Sequence, residues 1–443
     1  MIYNDIIQKI IFYIVYVLYN ILMISILIVS IFYILIYKIF HNKHKQSRIV
    51  FLSKFNNLFK RKKFNNNYKT IHIHASSLGE VQASFKIIED IINSNNKVNI
   101  IITTTTMSSY RLCHIKYSSN ENIINVRAPL DDKFSCWLFF IKYKPSLSIW
   151  IETELWLNFI NIMYKNNVPL IMLNARISSK SYQRCTKYKL LGYPRHNLQK
   201  FKRIFVSNQR SYNNIINIIP KDKVYLHNKD LKFSDYSHQS YQNFDHIFNK
   251  FKHRWMAVST HEDEEIHIAK IHHDLKKEHD NIITVIAPRY PRRSRHIQAQ
   301  LKKNNFNAIL LKDIYNTNLT KDTILIIDCF SIIHDLLQYI NITFVGKTLS
   351  NKYSGGHSLI EPVLHSSYVL YGYKHTDVPI ELIDQSFCTC VNSWSDLYKN
   401  INDILHHPSK MTEIQKNILE FRKNNVNTKD ISRDYIIDII KDL

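Results

Sequence analysis

The pattern of apolar and polar positions separates an apolar N-terminal segment from a long mixed body. Residues 10–37 contain no charged side chain, and most of them are Ile, Leu, Val, Phe or Tyr. A run of this length can cross a hydrocarbon core of roughly 30 Å. Lys38, Lys43, Lys45 and Arg48 follow it, and the positive-inside bias places this flank and the body in the cytoplasm. The run is too long for a cleaved signal peptide, so we expect a single-pass anchor.

A second amphipathic stretch follows the anchor. Apolar residues recur at helical spacing over residues 51–59, and a basic run occupies residues 60–63. This pattern predicts an interfacial helix with its apolar face in lipid. A core helix with a solvated basic face fits the same pattern.

From residue 70 onward, short apolar runs alternate with longer stretches of helical periodicity, as in parallel α/β layers. The first half predicts strands at 71–74, 98–102, 147–151, 170–173, 203–206 and 224–226. The second half predicts strands at 255–258, 282–286, 308–311, 324–327, 342–345 and 368–371. Helical periodicity predicts a helix at 81–92 and closing helices at 411–421 and 431–440.

These elements predict two α/β halves with a cleft between them, behind the membrane anchor. The expected segments are an anchor with its basic flank (1–48), a first domain (49–227), a polar linker (228–254), a second domain (255–410) and closing helices (411–443).

Charge and cysteine usage narrow the classes of partner. The net charge of +23 implies an anionic partner, unless lysine is inflated by the same compositional drift that enriches Ile and Asn. No dense basic tail or RNA-binding signature occurs, so a phospholipid surface or phosphorylated substrate is favoured over nucleic acid. The six cysteines are scattered without metal-ligand spacing. An HExxH zinc pattern starting at His261 fails because Glu265 stands where His is needed.

Glycine is scarce, which makes its positions informative. The chain has six glycines, whereas average usage would give roughly 30. Three of the six are Gly346, Gly355 and Gly356, and the last two follow an apolar strand and precede a helix-like run. This is where an α/β protein binds phosphate or nucleotide, since backbone N–H groups can approach the ligand closely.

Candidate site residues in the first half follow predicted strands, at the strand ends where open α/β sheets bind ligands. Glu80 begins a helix after a turn containing Ser77 and Gly79, and its carboxylate suits a general base. The alternative is a first-turn glutamate that complements the helix dipole.

Three more motifs in the first half occupy equivalent places. Thr105 belongs to a hydroxyl cluster that can hold a polyol or cap a helix. Glu152 and Glu154 form a carboxylate pair just past a strand. Asn174 and Arg176 follow the next strand, and Arg176 could clamp an anion or pair with Glu152 or Glu154.

In the second half, Ser259, Thr260 and His261 open a helix with an acidic first turn. Arg289 ends another strand and is a natural phosphate ligand. After Gly355 and Gly356, backbone N–H groups can take a phosphate, and a carboxylate one turn later can accept ribose hydroxyls.

The ordered series of motifs resembles the Kdo transferases, which add 3-deoxy-D-manno-octulosonic acid (Kdo) to lipid A precursors. The matching segments are HASSLGEV (74–81), TTTTMSS (103–109), PLDD (129–132), ETELW (152–156), NARIS (174–178), LKF (231–233), STHEDEE (259–265), PRY (288–290) and GGHSLIEP (355–362). The resemblance extends from the anchor to about residue 380.

The resemblance implies a GT-B fold, in which two Rossmann-like domains face each other across a cleft. It implies CMP-Kdo as the donor substrate, a lipid A precursor (lipid IVA) as acceptor, inversion at the sugar carbon, and no metal or cofactor. It also implies a body on the cytoplasmic face of the bacterial inner membrane, next to an anionic surface.

Carried over position by position, the resemblance implies a role for each candidate. Glu80 matches the catalytic base. The donor-binding candidates are Arg289, Gly355, Gly356, His357, Ser358, Glu361, Ser259, Thr260 and His261. The candidates on the acceptor side of the cleft are Ser77, Gly79, Thr105, Glu152, Glu154, Asn174 and Arg176.

The chain also departs from the family pattern. Lys347, Ser109 and Ser331 stand where glycine is usual, Ser358 where Asn is usual and Tyr290 where His is usual. Two alternatives therefore remain at this stage. One is another membrane-associated GT-B enzyme of envelope synthesis that uses a nucleoside-diphosphate sugar, and the other is a decayed, non-catalytic membrane-surface module.

Overall fold

The fold is taken from a computed structural model. It describes residues 2–40, 64–65, 67–94, 97–177, 179–187, 192–227, 230–231, 242–316, 319–329, 332–350, 352, 356–375, 378, 382, 385–426 and 431–442. The predicted amphipathic helix at 51–63, Gly355, Ser331 and residues 228–229 and 232–241 of the predicted linker lie outside the described residues. The chain forms two compact units, residues 1–235 with 429–443 and residues 236–428.

The N-terminal segment is a helix, α1 (Ile2–Phe40). Its residues Ile10–Val29 are long and apolar enough to cross a membrane. The predicted apolar helix is therefore confirmed, while its single-pass topology stays a prediction.

The described residues of the first unit form a seven-stranded parallel sheet. Its strands are β1 (Lys69–His74), β2 (Val98–Thr104), β3 (Ile123–Arg127), β4 (Leu147–Ile151), β5 (Leu170–Ala175), β6 (Arg203–Val206) and β7 (Val224–Leu226). They lie in the order β3-β2-β1-β4-β5-β6-β7. The connecting helices are α2 (Leu78–Ser94), α3 (Met107–Tyr117), α4 (Lys133–Tyr143), α5 (Leu157–Lys165), α6 (Ser179–Lys187), α7 (Gly192–Leu198) and α8 (Gln209–Ile216).

The second unit repeats this plan. Its strands are β8 (His253–Thr260), β9 (Ile282–Pro288), β10 (Asn307–Leu310), β11 (Thr323–Ile326), β12 (Ile342–Val345), β13 (Tyr368–Gly372) and β14 (Cys388–Val391), in the order β10-β11-β9-β8-β12-β13-β14. Its helices are α9 (Asp245–Phe248), α10 (Glu264–Glu278), α11 (Ser294–Lys303), α12 (Ile333–Leu337), α13 (Ile360–Leu364), α14 (Trp394–His406) and α15 (Pro408–Val426). Three short 3-10 turns, Lys221–Lys223, Pro291–Arg293 and Leu311–Asn316, complete the two units among the described residues.

The last helix, α16 (Ile431–Asp442), belongs to the first unit. Ile436 and Ile440 pack in the same core cluster as Ile87 and Ile91 of α2. The two predicted closing helices therefore serve different units, because α15 stays with the second.

The sheets follow from the sequence because their central strands are continuous apolar runs. Every residue of β4 and of β9 is buried, as expected for parallel strands covered by helices on both faces. Helices begin at side-chain caps: Thr106 accepts from the Ser109 N–H at the start of α3, and Asp132 accepts from the Ser135 N–H at the start of α4. The predicted α/β class with two Rossmann-like domains is confirmed.

Candidate functional site

Several of the predicted site residues follow the strands at which the strand order of each sheet reverses. In the first sheet this occurs between β1 and β4, and in the second between β8 and β12. The loops after two such strands lead to opposite faces of a sheet and leave a crevice at its carboxyl edge. Ser77 and Glu80 follow β1, Glu152 follows β4, and His261 follows β8.

Glu80 is held in a cradle made by its own turn. Its Oε2 accepts from the Ser76 N–H at 2.7 Å, and its Oε1 accepts from the Ser77 hydroxyl at 2.6 Å. The side chain is 6% exposed. Glu80 is the third residue of α2, after Leu78 and Gly79, so its side-chain bond with the Ser76 N–H also caps the first turn of the helix.

Burial raises the pKa of the Glu80 carboxyl to about 7, the Ser77 hydrogen bond opposes this rise, and the charges of Glu152 and Glu154 reinforce it. A carboxyl that titrates near neutral pH suits a general base. The sequence left open whether Glu80 is a general base or a first-turn carboxylate that complements the helix dipole. The geometry of Glu80 fits both roles.

The hydroxyl cluster after β2 braces the Glu80 turn. Thr105 bonds the Ser76 hydroxyl at 2.6 Å and donates to the Ser76 carbonyl at 2.8 Å. Ser109, at a usual glycine position, donates to the same carbonyl at 3.3 Å. Thr105 is therefore a positioning residue for the Ser76 N–H that contacts Glu80.

The sequence offered two interpretations of Arg176, and the structure adds a contact that neither of them named. Its guanidinium is bonded to the buried carboxylate of Asp230 and, at 3.1 Å, to the Ser207 hydroxyl. Asn174 donates to the other oxygen of Asp230 at 2.9 Å. Glu154 accepts from the Trp156 indole at 2.8 Å, and the pairing of Arg176 with Glu152 or Glu154 stays a prediction.

Sequence reasoning missed Asp230. It lies 54 residues after Arg176 in a polar stretch without strand periodicity, so only the LKF segment that follows it gave a signal. Asn174 and Arg176 thus hold the buried carboxylate of Asp230. Burying this carboxylate costs little free energy only because both of its oxygens are hydrogen-bonded.

In the second unit, Glu264 in the acidic first turn of α10 links the loops that follow β8 and β12, the two strands at the strand-order reversal. Glu264 is fully buried, accepts from the His261 N–H at 2.8 Å, and accepts from the Lys347 N–H with both oxygens at 2.8 Å. Burial raises its pKa to about 7. A Cβ at Gly346 would stand 2.8 Å from the Glu264 Oε2, so this glycine lets the two strand ends approach.

The neighbouring carboxylate, Glu265, has a different role. It receives a two-pronged contact from Arg293, at 3.0 and 3.3 Å, and a bond from the Thr260 hydroxyl at 3.0 Å. These contacts join α10 to the turn after β9. Thr260 also accepts the Arg289 N–H at its carbonyl, 3.0 Å away, so the loop carrying Arg289 is fixed to β8.

A cationic and imidazole cluster forms beside Glu264. The Nε2 atoms of His261 and His357 are 3.1 Å apart and their rings are stacked. Burial lowers the pKa of His357 to about 3, with Arg289, His261 and Lys347 adding to the effect. His357 is therefore a neutral imidazole at physiological pH, close to two permanent cations.

The glycine segment differs from its prediction as a helix start. The helix α13 has five residues and begins at Ile360, so Gly356, His357 and Ser358 belong to the preceding loop. The His375 ring lies against Gly356, where a Cβ would stand 2.3 Å from it, and His375 Nε2 contacts the His357 carbonyl at 2.9 Å. Ser358 is exposed.

Glu361, predicted to receive ribose hydroxyls, is bonded to His334 Nε2 at 2.7 Å. Burial lowers the pKa of His334, but the Glu361 charge and hydrogen bond outweigh it and leave that pKa above its ordinary value. Ser259 has a left-handed backbone with φ of 55°. No group of three His, Cys, Asp or Glu residues suited to a metal occurs among the residues that the structure describes, and metal independence stays a prediction.

Comparison with known proteins shows what this chain is similar to. Residues 46–235 match the family model described as 3-Deoxy-D-manno-octulosonic-acid transferase (kdotransferase). The chain is 28% identical over 312 residues to the 3-deoxy-D-manno-octulosonic acid transferase of Haemophilus influenzae, covering 69% of this chain and 71% of that protein. It is 25% identical over 402 residues to the protein of the same name from Rickettsia typhi, covering 86% and 83%.

A longer relative is also similar. A bifunctional glycosyltransferase/methyltransferase of Fusobacterium nucleatum is 30% identical over 389 residues, which are 84% of this chain. The match spans 59% of that relative's length.

Solved structures support the fold. A glycosyltransferase from Rickettsia africae matches with a TM-score of 0.53 and 13% identity, covering 85% of this chain and 99% of that one. The S. aureus MnaA–UDP structure matches with a TM-score of 0.55 and 12% identity, covering 84% and 96%. At these identities the likeness extends to the fold alone, which is of the GT-B type.

Proposed function

We propose that this chain is a glycosyltransferase of the Kdo transferase family and that it transfers Kdo from CMP-Kdo to a lipid A precursor such as lipid IVA. The observation that carries the proposal is Glu80, a carboxyl with a pKa of about 7 at the strand-order reversal of the first unit. It stands in the segment that matches the family model.

In the proposed reaction, the Glu80 carboxylate takes the proton of an acceptor hydroxyl. The freed oxygen forms a bond to the anomeric carbon of Kdo, and the bond from that carbon to the phosphate oxygen of CMP breaks. CMP leaves with the electron pair, and attack from the face opposite the leaving group inverts the configuration. General-base assistance of this kind contributes roughly 10²–10⁴-fold.

The second unit would bind the donor. Arg289 and Lys347 are cations close enough to lower the pKa of the neutral His357, and CMP-Kdo carries both a phosphodiester and a carboxylate. Fixed cations can stabilise the charge that develops on the leaving phosphate, which in other enzymes a metal ion stabilises. We therefore propose a metal-independent reaction in which Arg289 and His261 contact the CMP phosphate.

The net charge and the apolar helix support a location at the inner membrane, with the body on the cytoplasmic side. A net charge of +23 favours approach to a phosphorylated glycolipid in an anionic surface. The helix α1, which contains the apolar segment Ile10–Val29, would supply the attachment.

A donor panel tests the proposal. The purified full chain in detergent is incubated with lipid IVA, an excess of EDTA, and either CMP-Kdo or a UDP-sugar, and the lipid is analysed by mass spectrometry. We expect one or more Kdo additions with CMP-Kdo in the presence of EDTA. Transfer from the UDP-sugar instead would assign a different donor, and no product from a folded chain would favour a non-catalytic module.

A further inference from the structure

The helix α4 of the first unit exposes an unusual amount of apolar surface. Phe134, Trp137 and Ile141 are 57%, 47% and 46% exposed. Their spacing of three and four residues places them on one face of the helix. The opposite face is buried, with Cys136 and Phe139 in the core. We call Phe134, Trp137 and Ile141 the α4 stripe.

The α4 stripe begins next to α1, because α1 contacts the body at the start of α4. Tyr19 donates from its hydroxyl to Asp131 at 2.5 Å, and the Lys133 ammonium lies 5.3 Å from the centre of the Tyr16 ring. Farther along α1, the Phe12 ring lies 4.3 Å from the His196 ring. The apolar helix therefore lies against the first unit over residues 12–19.

The exposed face of α1 and the α4 stripe are both apolar, so both need an apolar partner. Ile14, Leu18 and Leu22 of α1 are more than half exposed, and they belong to the segment long enough to enter a membrane. The α4 stripe begins beside the part of α1 that contacts the body. An apolar surface of this kind marks a binding face rather than ordinary exposed residues.

We propose that the α4 stripe inserts into the interface of an anionic phospholipid bilayer, as a second membrane contact besides α1. Trp137 is suited to that depth, since its ring is apolar and its N–H can reach water. Lys133 and Lys142 flank the stripe and would meet anionic headgroups. The first unit would then rest on the lipid surface through a defined face, from which a lipid-linked acceptor could enter. This inference rests on the proposed membrane attachment.

Depth-dependent fluorescence quenching tests the inference with the full chain. The chain is reconstituted in liposomes of phosphatidylethanolamine and phosphatidylglycerol, with or without bromine on the upper part of the acyl chains. The chain has five tryptophans, so the wild-type signal minus that of Trp137→Phe isolates Trp137. We expect the brominated lipid to quench the Trp137 signal roughly twofold or more, because interfacial side chains reach the acyl boundary.

A matched control places a tryptophan on α3, which covers the opposite face of the same sheet. Ile115 of α3 is 63% exposed, while its neighbours Cys113 and Tyr117 pack in the core cluster on the opposite side from α4. In the Trp137→Phe/Ile115→Trp variant, the new tryptophan should remain unquenched. In the Phe134→Glu/Ile141→Glu variant, which changes only exposed positions, quenching of Trp137 should fall to the control level.

Each result decides a different point. Liposomes that carry the chain without quenching Trp137 would overturn the α4 contact and leave α1 as the attachment. A chain that does not float with liposomes would overturn the attachment itself, whereas transfer in detergent tests the proposed function separately. A Trp137 signal that ignores bromine but shifts with protein concentration would assign the stripe to contact between copies, against this inference.

Discussion

Two carboxylates occupy matching places in the two units and differ in what holds them. Glu80 lies in the first turn of the helix after β1, and Glu264 lies in the first turn of the helix after β8. Both are buried, and burial raises the pKa of both to about 7.

Their partners separate the two roles. Glu80 accepts hydrogen bonds from Ser76 and Ser77, which belong to its own turn. Glu264 accepts from Lys347, which is 83 residues away on the far side of the strand-order reversal. A raised pKa is thus common to a carboxylate that closes one local turn and to one that ties two loops together. The comparison teaches that the pattern of partners, and not the pKa alone, distinguishes a candidate base from a structural link.

The largest effect is expected at Glu80. In Glu80→Gln the side chain keeps its shape but cannot take a proton, so transfer to lipid IVA should fall roughly 10²–10⁴-fold. Initial rates measured at saturating CMP-Kdo, with circular dichroism to confirm folding, check this. Near-wild-type transfer by the folded variant would remove Glu80 from the chemistry.

The next effect is on stability at Glu264. Glu264→Ala leaves the N–H groups of His261 and Lys347 without their acceptor, and a buried unsatisfied donor costs about 1–3 kcal/mol. We expect the free energy of unfolding of the second unit to fall by roughly 2–4 kcal/mol, measured by urea denaturation. The neighbouring Glu262→Ala, at an exposed position, is the control and should change it little.

The two carboxyls should contribute to the pH dependence of stability in a direction that a comparison of variants isolates, because histidines such as His357, whose pKa burial lowers to about 3, contribute in the opposite direction. The folded pKa values of the two carboxyls, about 7, lie above the ordinary value of 4.5, so at these groups the native state binds more protons than the unfolded state between these values. The contribution of each carboxyl to stability should therefore fall as the pH rises through that window. Urea midpoints of the wild type and of Glu264→Gln from pH 4.5 to pH 7 test this, and the wild type should lose stability relative to the variant as the pH rises. A difference between the two that stays constant or changes the other way would contradict the raised pKa of Glu264.

The smallest effect is expected at Lys347, which has a left-handed backbone with φ of 70° at a usual glycine position. Lys347→Gly should raise the free energy of unfolding by about 1 kcal/mol, since that conformation costs a non-glycine residue roughly 1–2 kcal/mol. It should also raise the KM for CMP-Kdo, because a cation near His357 is lost.

Lys144→Gly separates the two consequences. Lys144 is also left-handed, with φ of 41°, at the end of α4. This variant should gain stability as well, with an unchanged KM for CMP-Kdo. Equal KM values for both variants would show that Lys347 contributes strain and no donor contact.

The sequence predicted the central strands and the edge strands β7 and β10, and it missed the other two edge strands for a physical reason. β4 and β12 match their predicted bounds because they are short buried apolar runs. β3 and β14 lie at sheet edges, and the Asn and Arg of β3 and the Thr of β14 interrupt the apolar pattern. An edge strand requires less burial, so its sequence gives a weaker signal.

Individual site positions were predictable, whereas their pairings were not. Glu80 follows from a local pattern of cap and turn that spans four residues. The contact between His261 and His357 joins residues 96 positions apart, and the contact of Arg176 with Asp230 joins residues 54 apart. Spacing along one chain carries no record of which distant side chains meet, so the alternative partners of Arg176 could not be separated before the fold was known.

The pH dependence of transfer tests most directly whether Glu80, and not Glu264, is the carboxyl that reacts. We predict that kcat/KM of the wild type rises with pH and levels off above an apparent pKa of about 7, because Glu80 must be ionised to take the proton. The same rise should persist in Glu264→Gln and be absent from the residual activity of Glu80→Gln. A wild-type profile without this rise, or a rise that is lost in Glu264→Gln and kept in Glu80→Gln, would contradict the assignment.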